Sequence, residues 1–219
     1  MDIRADLSEF VYVTPADWQW SDSPQPGVAR VMLDRVGDEV AVATSFVRYA
    51  ENSVFPEHNH ALGEEYIVIE GEFADENGRF PVGSYVRNPP GTKHSPFSQP
   101  GCVIWVKLRQ FDTADLAQFD VNLNTEIPAA GWSERELHRH DREVVREFVA
   151  AAGEEISFAA VPQVQEMLIL AGDVAVVVGR ASTVTLPERS WLRVPPDQEV
   201  VLTANAPTRL FTKTRPVYR

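Results

Sequence analysis

The chain contains one pattern twice. EEYIVIEG at residues 64–71 returns as QEMLILAG at 165–172, an offset of 101 that brings Glu65 onto Glu166 and Gly71 onto Gly172. SYVRNPP from Ser84 returns as SWLRVPP from Ser190, and VKLR around Lys107 returns as TKTR around Lys213, both at an offset of 106. About five residues are inserted between the blocks of the second copy. Such self-similarity restricts the chain to two tandem units of similar fold. The polar, Pro- and Gly-containing stretch 122–131 separates them, which sets domains at 1–120 and 121–219, with a lead arm of about residues 1–27 before the first copy.

The repeated blocks are strand-like. TSFVRY, EEYIVIEGEF, GSYVRN, CVIWVKLRQF, EMLILAGDVAVVVG, SWLRV, EVVLTA and TRLFTKT are short runs rich in Val, Ile and aromatics, bounded by Gly and Pro. Runs of this length and spacing predict an all-β chain, each half closing as a small barrel or sandwich. Helical spacing of apolar residues is present only over Thr113–Phe119 and Ser133–Val149, and predicts two helices there. Asp75-Glu76-Asn77-Gly78 predicts a hairpin turn, its Asn-Gly pair suiting positive φ angles.

The 219 residues include 44% hydrophobic and 24% charged residues, which excludes disorder and coiled coil and leaves enough chain for a real core. A net charge of −12 repels phosphate backbones, so nucleic acid is not expected as a partner. The N-terminal MDIRADLSEF lacks the basic end and apolar stretch of a signal peptide, and no membrane-spanning run occurs, so a cytoplasmic protein without membrane contact is expected. The single Cys102 cannot form an internal disulfide or a Cys-x-x-Cys zinc site. Stability must then come from packing.

Chemistry concentrates in the first copy, where His58-x-His60-x-x-x-Glu64 is followed by Gly83-x₅-Pro89-x-Gly91-x-x-His94. Two His at i and i+2 of a strand share a face. Ala61-Leu62-Gly63 can turn the chain to bring in Glu64, and the Pro89-Pro90-Gly91 turn lets His94 enter from a third direction. Neutral imidazoles with one carboxylate suit a divalent metal of the Zn, Fe, Mn, Ni or Cu group. Tyr66 shares the strand face of Glu64, and Phe97, Trp105 and Arg87 are further candidates to line a pocket, whereas Glu57 and Glu65 alternate away from the ligands and are expected to point outward.

These motifs resemble those of the cupin superfamily nearly position for position, the departure being Ser98 where the second motif usually carries Asn. From about Pro26 to Phe111 the chain resembles more specifically the cupin domain of the ChrR anti-sigma factor family. The resemblance implies tandem jelly-roll (double-stranded β-helix) barrels and one metal per chain, held by His58, His60, Glu64 and His94, with zinc first and iron, manganese or nickel as possible occupants. It also implies a regulatory or stress-sensing role. In that family a helical zinc-binding anti-sigma segment with a Cys-x-x-Cys pair precedes the cupin; this chain has one Cys, so sigma-factor binding is not carried over. The alternative reading is a dioxygenase acting on a diketone or hydroxy-ketone bound in the first barrel.

In the second copy the offsets place Ala159, Val161, Gln165 and Val200 at the ligand positions, so no metal is expected there and the apolar three should fill the barrel. Arg189 and Asp197 stand where the first copy has Gly83 and Gly91, which predicts altered turns. His138-Arg139-His140 lies about twenty residues too early to belong to the motif and reads as a solvated or interfacial pair. Phe10, Tyr12, Trp18 and Trp20 of the lead are expected to be buried against a barrel or a second chain, with a homodimer as the expected assembly.

Overall fold

The computed structural model describes residues 1–38 and 40–215. It resolves into two compact units, one formed by Met1–Ala5 with Gln19–Asn124 and the other by Asp6–Trp18 with Thr125–Arg219. Both are antiparallel β structures, and among the described residues the only helical element is one 3₁₀ turn, Pro15–Asp17. None of these residues forms a helix long and apolar enough to cross a membrane.

In the first unit the sheet runs Phe119–Asn122, Ser84–Asn88, Glu64–Asp75, Cys102–Leu108, Val42–Tyr49, Val28–Val36 and Ser21–Asp22. A short ladder, His58–Asn59 against Lys93–His94, stands apart from it. Period-two alternation divides the long strands between two faces. Tyr66, Val68, Ile104 and Val106 pack together inward, and the opposite face carries Glu65, Arg87 and Lys107, all with no solvent exposure. Glu65 therefore does alternate away from the ligands, but into protein and not into water. It accepts hydrogen bonds from Tyr85 Oη (2.7 Å) and Arg87 Nη1 (3.1 Å), while Arg87 Nη2 reaches Asp115 Oδ2 at 2.6 Å.

The second unit has a six-stranded sheet, Val11–Val13, Trp191–Val194, Val164–Ala171, Thr208–Arg215, Glu143–Ala150 and Trp132–His140, and a four-stranded one, Glu155–Phe158, Val200–Ala204, Asp173–Val178 and Val184–Pro187. Their apolar sides enclose Met167, Val176, Leu186, Leu202 and Leu210. Part of the lead belongs here and not to the first domain, because Val11–Val13 adds an edge strand to Trp191–Val194 and Phe10 packs on the core. Tyr12 stays exposed, while Trp20, in the first unit, lies under the Arg48 guanidinium at 4.4 Å. Neither expected helix forms. Trp132–His140 and Glu143–Ala150 are a hairpin in which β-branched Val144, Val145 and Val149 sit in the ladder, and residues 113–118 are loop, where Asp112 and Asp115 carboxylates take the backbone N–H groups of Ala114 and Ala117.

The register explains which residues recur. Glu65 lies opposite Arg87 and Lys107, and Glu166 opposite Arg193 and Lys213, so the repeated letters mark one charge ladder across three strands of each barrel. The turns are also preserved, contrary to expectation. Arg189 and Asp197 hold φ of 66° and 61° where Gly83 and Gly91 hold 88° and 89°. Asp197 N–H donates to Val161 O as Gly91 N–H does to His60 O, and Arg189 N–H to Ile169 O as Gly83 N–H does to Val68 O. The side chains changed while the backbone kept its hydrogen bonds. Of the apolar residues at the ligand positions only Val200 is buried; Ala159 is exposed and Val161 half-buried, and Gln165 donates to the Ala159 and Gln198 carbonyls.

Each long central strand carries a one-residue bulge, at Ile69 and at Leu170, followed by a glycine with positive φ. A Cβ on Gly71 would lie 2.0 Å from Gly101 O. Gly71→Ala is expected to destabilise the protein by about 3 kcal/mol or more, read from urea denaturation, since the left-handed conformation and the clash add.

Candidate metal centre

Three short devices assemble the site. His58 and His94 are directly opposed in their two-residue ladder. His60 follows in the turn, where its N–H donates to Thr92 O (2.9 Å) and its C=O accepts from Gly91 N–H (2.9 Å). Gly63, at φ 77°, then directs the chain into the strand that begins with Glu64, as the sequence led us to expect. His60, Glu64 and His94 are buried and His58 is half-buried.

Around Glu64 the imidazole Nε2 atoms converge: His94 at 3.4 Å and His60 at 3.5 Å from Oε1, and His58 at 4.0 Å from Oε2. All four ligand-type atoms lie within 4.8 Å of one another. Donors at about 2.0–2.2 Å from a common ion would be separated by about 3–4.4 Å, so the cluster is the size a divalent metal requires.

The tautomers fit as well. His58 Nδ1 faces the Pro56 carbonyl at 3.1 Å, which can only accept. His94 Nδ1 faces Asp75 Oδ2 at 2.9 Å, and although burial raises the Asp75 pKa, His94 and the backbone N–H groups of Asn77 and Gly78 together outweigh it and hold the carboxyl below its ordinary range. His60 Nδ1 faces Thr92 Oγ1 at 2.9 Å, and that hydroxyl gives its own proton to Pro89 O. Each ring thus donates through Nδ1 and presents an Nε2 lone pair inward. The buried Nε2 of His60 has no hydrogen-bond partner among the described residues, which leaves its lone pair available to an ion.

Electrostatics separate His58 from His60. Burial pushes His60 down to about 4. Burial also opposes protonation of His58, but the Glu64 carboxylate, with the Pro56 carbonyl and Glu76, outweighs it and raises the His58 pKa; the three histidines together hold Glu64 below the ordinary range despite its burial.

His58, His60 and Glu64 also line a cavity of about 310 Å³, whose remaining wall is largely apolar and includes Val47, Tyr49, Phe73, Ile104 and Val106. The other residues expected to line a pocket do not line this one. Trp105 and Arg87 lie on the opposite sheet face, and Phe97 sits half-buried in a short strand paired with Ser53–Val54. Tyr66 is fully buried beside Phe73, its hydroxyl without a partner among the described residues. Ser98 serves the backbone, donating to Glu72 O. Asp75, Thr92 and the cavity arginines Arg30, Arg35 and Arg109 were missed from sequence. Period two puts Asp75 on the wrong face of its strand, but the bulge at Ile69 reverses the alternation and turns Phe73 and Asp75 inward; Gly71 inside a strand-like run was the available signal.

Residues 8–112 match the family model of the ChrR cupin-like domain, and solved cupin structures superpose on nearly the whole chain. A cupin 2 conserved barrel domain protein from Leptotrichia buccalis aligns with TM-score 0.64 and 13% identity over 89% of this chain and 92% of its own. The chain has the cupin fold. A bacterial pirin from Escherichia coli in complex with nickel(II) aligns at TM-score 0.70 and 12% identity over 95% and 100% of the two chains. A salicylate 1,2-dioxygenase from Pseudaminobacter salicylatoxidans aligns at 0.67 and 12% over 95% and 85%. No curated protein matches the sequence. At such identities the likeness is one of fold alone.

Proposed function

We propose that this cupin acts through one divalent metal ion held by His58, His60, Glu64 and His94, as a metal-dependent enzyme of dioxygenase type on a small organic molecule bound in the first barrel. The observation that carries the reading is that three of these residues also form the wall of the cavity, so a metal there would keep positions open to a substrate, which a closed structural site does not. A bound ion supplies Lewis-acid polarisation or dioxygen activation. The chain's own residues contribute orientation: Asp75, Thr92 and Pro56 fix the imidazole tautomers.

The test is oxygen consumption. Protein loaded anaerobically with Fe(II) and given a β-diketone or hydroxy-ketone should turn over at about 1 s⁻¹ or faster, and Glu64→Ala should abolish it. The match to the ChrR cupin-like domain favours a second reading, a regulatory or stress-sensing role through the same metal; a metal-replete protein without turnover on any such substrate would favour it.

Acid should release the metal. Because imidazole must be neutral to bind, content should fall as pH drops below about 6.5. His58, whose pKa is raised, protonates at higher pH than His60, which burial holds at about 4. Metal content after dialysis across this range reads the effect, and a content flat to about pH 4 would contradict histidine ligation.

A further inference from the structure

The cavity of the first barrel is cationic in a protein whose net charge is −12. Arg30, Arg35 and Arg109 line it, and Glu64, already engaged with the histidines, is the only carboxylate among its lining residues. Arg30 donates to Ser23 Oγ at 2.7 Å, and Arg35 to the backbone carbonyls of Gly37 and Asp38. Among the described residues none of the three arginines forms a side-chain ion pair with a carboxylate, whereas buried Arg87 and Arg215 do. A partly buried guanidinium without a counter-ion costs free energy that an anion in the cavity would recover. Burial and the neighbouring Arg35 both hold the Arg30 pKa down, in keeping with an unmet charge. The remaining wall is mostly apolar, with Val28, Val47, Ile104 and Val106 among its side chains and Ser45, Tyr49 and Asn59 as its uncharged polar ones.

We propose that the cavity takes a small organic acid, its carboxylate paired with Arg30 and Arg35 and its apolar body against the barrel wall. This narrows the substrate class of the site proposed above and rests on that reading for the metal end of the cavity. Guanidinium forks match carboxylates in planar geometry, and phosphate would satisfy the same charge without using the apolar wall.

Calorimetric titration of the metal-loaded protein with benzoate, phenylacetate, their neutral amides and inorganic phosphate tests it, with metal content and circular dichroism recorded for every variant. Both acids should bind at least about tenfold more tightly than their amides, and Arg30→Gln or Arg35→Gln should remove that preference while metal content stays at the wild-type value. Equal affinity of acid and amide in the wild-type protein would overturn the proposal even if the variants failed to fold. So would a preference surviving in the double variant, or phosphate binding as tightly as benzoate. Retention of the arginine-dependent preference by a protein that takes up no metal would sink the metal reading and support the acid site.

Discussion

His94→Ala should lower metal affinity at least about a hundredfold, because it removes one of the proposed ligands from the protein interior, where no water can readily substitute. His94 is 2% exposed, its Nε2 is 3.4 Å from Glu64, and its ring is held from behind by Asp75. Asp75→Asn separates ligation from orientation: the shape and an acceptor remain, but the charge is lost. It should weaken metal binding by about tenfold, the low end of what supporting carboxylates contribute. Competition with a chromogenic chelator measures both. His138→Ala and Gln165→Ala, which lie in the other unit, should leave affinity unchanged; equal losses in all four variants would mean that the effect is global unfolding.

The largest stability effect should come from Glu65→Ala, at about 3–5 kcal/mol, since removing one partner strands a buried charge. Wholly buried Arg87 would lose one of its two carboxylate partners, and the Tyr85 hydroxyl would lose its acceptor. Glu65→Gln keeps the acceptor and should cost less. Denaturant midpoints at neutral pH decide this, and a loss under about 1 kcal/mol would show that the ladder is better solvated than its burial implies.

Much of this was legible in the sequence because both offsets of the repeat, 101 and 106, coincide with real registers. The spacing of His58, His60, Glu64 and His94 and the turns at Gly63 and Gly91 could be read for the same reason: Gly and Pro fix local geometry with little help from tertiary structure. What could not be read depended on events outside any local window. Glu65 looks like a surface residue until the strands carrying Arg87 and Lys107 are placed beside it. The bulge at Ile69 reverses the inward face of one strand, hiding Asp75. The hairpin at Asp75–Gly78 forms where expected, yet neither Asn77 nor Gly78 has positive φ; the Asp75 carboxylate instead accepts from Asn77 N–H at 2.7 Å. Thr113–Phe119 and Ser133–Val149 have apolar spacings that satisfy more than one period, and β-branched residues and aspartate capping decided against helix.

Anomalous diffraction at the absorption edge of the metal found by elemental analysis tests ligation by this cluster most directly. One peak per chain is expected, within about 2.0–2.3 Å of Nε2 of His58, His60 and His94 and of the Glu64 carboxylate. A crystal of metal-replete protein with no density between those four side chains, or with its metal bound only in the second unit, would contradict it.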